Sequence, residues 1–207
     1  MNISFLLQGV VLGFSIAAPV GPIGVLCIRR TLMQGRTVGL VSGLGAAMAD
    51  AIYGCIAGFG LTLISNFLVN QQLWIRLIGG IFLCYLGIRT CLNKPAEVSA
   101  LVQSNSLFSD YASTLFLTLT NPATILSFVA IFAGLGVVEG SYFDAAILVL
   151  GVFVGSALWW FVLSFGIDLL RSRFSQRGFI WINIISGVIL VAFGAIASGA
   201  ALRAIAY

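Results

Sequence analysis

The chain has 207 residues, 60% of them hydrophobic and 8% charged, with a formal net charge of +4 and a mean hydropathy of +1.13. About a quarter of the residues in a soluble domain are charged, so a water-soluble globular protein is excluded, and a nucleic-acid surface with it, because the basic residues sit at the ends of apolar runs. The runs are too long for strands and lack the alternation of an outer-membrane barrel, which leaves helices of about 20 apolar residues each.

Six spans are predicted, at roughly 4–28, 38–64, 74–92, 112–137, 143–167 and 179–201. The first opens without a basic leader and is followed by further spans, so it is expected to be retained. It contains Pro19 and Pro22, each of which removes a backbone donor, with Gly21 between them; a kink or unwound stretch is expected there. Arg29, Arg30 and Arg36 follow and read as a loop. Span two carries Asp50 near its middle, the one acid placed so deep, with Tyr53 on the same helix face. A charged carboxylate at mid-bilayer costs about 2.5 to 3.5 kcal/mol on insertion scales, so Asp50 is expected to face the bundle interior with a partner or a proton. Residues 95–111, with Pro95, Ser99, Ser104 and Ser106, form a polar linker. Span four contains a second break at Thr120-Asn121-Pro122, this time with polar side chains able to satisfy freed backbone groups. Span five holds Gly151, Gly155, Trp159 and Trp160 and ends at Asp168 and Arg171, an expected interfacial ion pair. Stripes such as Gly35-Gly39-Gly43 and Gly151-Gly155 allow close helix approach.

The second half repeats the first. Trp74-Ile75-Arg76-Leu77-Ile78-Gly79-Gly80 returns as Trp181-Ile182-Asn183-Ile184-Ile185-Ser186-Gly187, and Gly87 as Gly194, 107 positions later; Gly45 matches Gly151 and Phe59-Gly60 matches Phe165-Gly166 at an offset of 106. On that alignment Asp50 corresponds to Ser156. Basic residues prefer the cytoplasmic ends of spans. Arg29, Arg30 and Arg36, then Arg89 and Lys94, then Arg171, Arg173 and Arg177 mark alternate loops as cytoplasmic, with Arg76 and Arg203 as exceptions. Both termini are thus placed on the periplasmic or extracellular side. Three spans per unit invert the second unit relative to the first, and Glu139 and Asp144 stand where unit one has its first basic loop. The expected fold is an all-α polytopic membrane protein, one transmembrane domain of two inverted three-helix repeats, residues 1–94 and 112–207, with broken first and fourth helices and a cytoplasmic linker at 95–111. Inverted repeats with paired broken helices point to a secondary transporter with a midplane site and alternating access.

Several of these segments carry a family resemblance. Ala17-Ala18-Pro19-Val20-Gly21-Pro22-Ile23-Gly24, Cys27-Ile28-Arg29-Arg30-Thr31-Leu32, Gly43 through Tyr53, and Leu119-Thr120-Asn121-Pro122-Ala123-Thr124-Ile125 together resemble the lysine-exporter (LysE/RhtB) translocators over nearly the whole chain. The resemblance implies a multi-pass protein of the bacterial inner membrane that exports amino acids or similar small metabolites by proton antiport, and it allows a homodimer. It departs at Ala123, where relatives often carry Lys after the Asn-Pro pair, so no role for a cation at that position carries over.

The residues expected to bind substrate and protons are Asp50, Pro19, Gly21, Pro22, Tyr53, Thr120, Asn121, Pro122 and Ser156. Half-helices starting after each break would turn their positive ends inward, toward a substrate carboxylate, while Asp50 takes the ammonium group or a proton. Arg29 and Arg30 read first as positive-inside anchors and second as an entrance for an anionic group. No catalytic residues, cofactor or metal are expected. With no His and no clustered acids or thiols, a metal-cation exporter is the weaker alternative. A cysteine-based electron-transfer protein is another, but Cys27, Cys55, Cys84 and Cys91 all fall in the first repeat, where buried apolar roles suffice. A non-transporting assembly subunit would show no flux and would tolerate loss of the Asp50 charge.

Overall fold

A computed structural model describes residues 3–19, 21–59, 71–92, 106–121, 124–125, 127–128, 142–171 and 176–206. Among them are seven helices: α1 (Ile3–Ala17), α2 (Pro22–Gln34), α3 (Arg36–Gly58), α4 (Gln72–Leu92), α5 (Leu107–Leu119), α6 (Tyr142–Arg171) and α7 (Gln176–Ala206). No strand occurs among the described residues. Within α3, α4, α6 and α7 lie four stretches long and apolar enough to cross a membrane, and α1 with α2 makes a fifth if the pair, bent by 82°, counts as one span. The chain is therefore a multi-pass membrane protein. Of the expected fourth span, residues 122, 123, 126 and 129–137 lie outside the described residues, as do Val20, Lys94, most of the linker (95–105), Glu139 and Arg173.

The first connection differs from the expectation. Residues 29–34 are helical, and the loop read between spans one and two shrinks to Gly35. Its φ of 95° lies in the left-handed region that a side chain disfavours, and its N–H bonds back to Thr31 O. A glycine, not the arginine pair, ends α2. The next difference is at α5, which starts at Leu107, inside the stretch read as linker, because Ser106 caps it by accepting from Ser109 N at 3.3 Å.

α3 packs between α5 and α6, α1 lies along α6, and α4 pairs with α7, while α2 is set against α3, α6 and α7. Lipid tails are as apolar as leucine, so these helices join by close packing rather than by hydrophobic exclusion. The contacts are accordingly made at small residues. A Cβ on Gly9 or Gly13 would strike the α6 backbone at Leu148 and Val152, and one on Gly151 or Gly155 would strike α1 at Leu6 and Val10. Gly45 abuts Tyr111 and Leu115 in the same way, and Gly80 and Gly87 of α4 abut Gly194 and Gly187 of α7. Large apolar side chains such as Val11, Ile81, Phe161 and Ile185 point outward and are exposed, as a hydrocarbon solvent requires.

Candidate functional site

α3 carries a face of small residues, including Gly43, Ala46, Ala47 and Ala49, that lets it sit deep in the bundle, and Asp50 lies on that face, 3% exposed. Ser156 Oγ of α6 donates to Asp50 Oδ2 at 2.7 Å. One turn further along α3, Tyr53 Oη donates to Leu119 O at 2.5 Å, and its ring lies 5.6 Å from that of Phe128. Tyr53 thereby fixes the end of α5, where the second break begins.

Both breaks open onto one cavity of about 530 Å³. At the first, α1 ends at Ala17, and Gly21, extended at φ −103°, ψ −162°, precedes Pro22 at the start of α2 with no side-chain cap. The first helical bond of α2 runs from Val25 N to Gly21 O, so the N–H groups of Ile23 and Gly24 have no acceptor within the helix. Both residues line the cavity. At the second break, Thr120 N bonds to Phe116 O, and Asn121 O then accepts from Thr124 N and Ile125 N at 3.1 and 3.2 Å, starting a new turn. The hydroxyls of Thr118 and Thr120 bond back to Thr114 O and Phe116 O at 2.8 and 2.9 Å.

Of the expected site residues, Pro19, Gly21, Pro22, Asp50, Thr120 and Asn121 line the cavity. Ser156 and Tyr53 stand behind it, one holding Asp50 and the other holding the end of α5. Pro122 and Ala123 lie outside the described residues.

Arg29 and Arg30 are elsewhere, and neither is an exposed loop anchor: each is 7% exposed. Arg30 Nε lies 3.3 Å from Asp110 Oδ1. Its Nη1 donates to Ser42 Oγ, Asp110 O and Thr114 Oγ1 at 2.9, 2.9 and 2.8 Å, and its Nη2 to Ser113 Oγ at 2.7 Å. Arg29 Nε donates to Asn183 Oδ1 at 2.9 Å. With both guanidinium groups bonded inside the protein, Arg30 to a carboxylate and Arg29 to a neutral amide, α2 has no reason to end at the arginines. Arg171 also differs from its expected pairing with Asp168. It donates to Leu32 O and Met33 O at 3.0 and 3.3 Å, taking up carbonyls that the C-terminus of α2 leaves unpaired.

Comparison with protein families matches residues 14–198 to the LysE type translocators. The chain belongs to that family. A relative from Bacillus subtilis (strain 168), named "Putative amino acid efflux protein YcgF", is 30% identical over 203 residues, 94% of each chain. An uncharacterized membrane protein of Synechocystis sp. (slr1627) is 26% identical over 86% of this chain and 88% of its own, and YahN of Escherichia coli (K12), also an uncharacterized membrane protein, is 25% identical over 78% and 75%. No solved structure matches. This LysE translocator is thus a transporter.

Two residues of the translocator's cavity were noted in the sequence but not assigned to the site. Trp160, in the middle of α6, forms part of the wall, packed on Gly43. Arg76 of α4 forms another part; its signal was its break with the charge rule, a basic residue at the end of a span where no cytoplasmic loop is expected. Among the described residues no group of three or more His, Cys, Asp or Glu is placed to hold a metal ion, and the four cysteines are free thiols.

Proposed function

We propose that this LysE translocator exports amino acids or similar small metabolites from the cytoplasm across the bacterial inner membrane by proton antiport, with its termini outside and Asp50 as the coupling carboxyl. The observation that carries this reading is the cavity itself, bounded by both helix breaks and holding one intramembrane acid in its wall. An acid in a bilayer interior is costly and persists where it serves a pathway or a proton. The efflux description of the Bacillus relative supports the direction and the substrate class.

Alternating access would come from two three-helix units of opposite orientation. Pairs of contacts support it. Asp50 bonds to Ser156, 106 residues on, and Cys84 Sγ to Val191 O, 107 residues on, so each contact joins a residue to its own counterpart. Contacts of a residue with its own counterpart are what an axis relating the two units would produce. Two further pairs of contacts match: Gly45 against Tyr111 and Leu115 parallels Gly151 against Leu6 and Val10, and Gly80 against Gly194 parallels Gly187 against Gly87.

The test is efflux of a panel of preloaded amino acids from oriented proteoliposomes under an imposed pH gradient, parent against Asp50→Asn. Gradient-driven efflux that the variant loses is the expected result. Efflux that ignores the gradient in both proteins would remove proton coupling, and no flux of any amino acid would remove the substrate class.

A further inference from the structure

α4 presents Arg76, Gly79, Gly80 and Leu83 to the cavity, a spacing of i, i+3, i+4 and i+7 that defines one helix face. Gly79 lies so close to Thr120 that a Cβ there would meet its carbonyl and side chain, so this face is pressed onto the second break. Arg76 stands one turn before that contact. Its Nε is sheltered and unbonded, and among the described residues Arg76 has no ion-pair partner. By contrast, Arg29, Arg30 and Arg171 each bond to side chains or carbonyls of the protein. Arg76 as a whole is half-buried, and a cation in the wall of an apolar bundle with no counter-charge is costly. Its planar fork of five donors matches a carboxylate through two parallel bonds.

We infer that Arg76 binds the carboxylate of the substrate, and that the cavity selects α-amino acids with a free carboxyl group and an uncharged side chain. The inference rests on reading the cavity as an amino-acid transport site. Asp50 and Arg76 are the two charged residues of the described wall, on different helices and of opposite sign. Ser156 occupies one oxygen of Asp50; the other is left to take the substrate ammonium. A zwitterion answers both charges at once. A cationic side chain would bring a third charge for which the described wall offers no partner. The indole N–H of Trp160 is a second unbonded side-chain donor among the wall residues, so both orphan groups call for an acceptor rather than a donor.

The experiment uses the full chain in proteoliposomes and measures counterflow of labelled alanine, threonine and leucine against each one's carboxamide and against lysine. The parent is expected to favour each acid over its amide by roughly tenfold or more in KM, because a site built around a polar group rejects the analogue lacking it, and to take lysine poorly. Arg76→Gln should collapse the acid-over-amide preference to about threefold or less, and Arg76→Lys, which keeps the charge but not the fork, should fall between. An unchanged preference in Arg76→Gln overturns the inference and leaves the transporter standing, as does a parent that moves acid and amide alike. A parent that prefers lysine overturns the uncharged side chain. No flux of any amino acid overturns the transport reading and this inference with it.

Discussion

Arg30 is buried and Arg76 half-buried in the same apolar bundle, and the protein treats them in opposite ways. Arg30 has an ion pair with Asp110 and hydrogen bonds to Ser42, Ser113 and Thr114. Arg76 has none of these among the described residues. The first cluster gathers at one end of the bundle, where α3, α5 and α7 begin and α6 ends. The second faces the cavity, toward the other end, where α5 finishes and α4 begins. A satisfied charge holds helices together, while an unsatisfied one is kept for something that arrives later.

The contrast can be broken by mutation. The largest effect is expected from Asp110→Ala, which strands the Arg30 guanidinium among buried groups: a loss of about 3 to 5 kcal/mol, read as a large fall in the thermal unfolding midpoint of the detergent-solubilised protein. Joint replacement of Arg30 by Met and Asp110 by Leu should recover much of it, since a buried pair replaced as a unit is often neutral. Gly151→Leu should come next, at about 1 to 3 kcal/mol, because the α1 backbone leaves no room for the side chain; the same assay checks it, and an unchanged midpoint would contradict the close approach. Tyr53→Phe removes one interhelical hydrogen bond and should cost about 0.6 kcal/mol. Arg76→Gln should cost nothing measurable or raise the midpoint, since no bond is lost. A loss as large as that of Asp110→Ala would show that Arg76 is structural and dissolve the comparison.

The parts of this architecture that rest on backbone chemistry were legible in the sequence. Pro19 and Pro22 delete donors, so α1 stops at Ala17, and Asp50 stood out as a lone acid in an apolar run. Ser156 was reached by counting one repeat length, and it proves to be the residue that bonds Asp50. What was not legible depends on distant partners. Arg29 and Arg30 read as anchors because charge counting is local, whereas Asn183 and Thr114 lie 154 and 84 residues away. The role of Arg76 in the wall depends on α4 leaning against Thr120, which no spacing within α4 reveals.

Gly35 has one further consequence. A joint of a single residue leaves α2 no slack, so it cannot slide away from α3 and can only pivot about that glycine's two torsions. Any movement of the far, Pro22 end of α2 must then be a swing of fixed radius, like a door on one pin, with the Asp110 and Asn183 contacts bracing it close to that pin. Lengthening the joint by a few flexible residues would leave each brace chemically intact yet let the door hang loose. Substrate leakage without a gradient, in an otherwise folded protein, would be its signature.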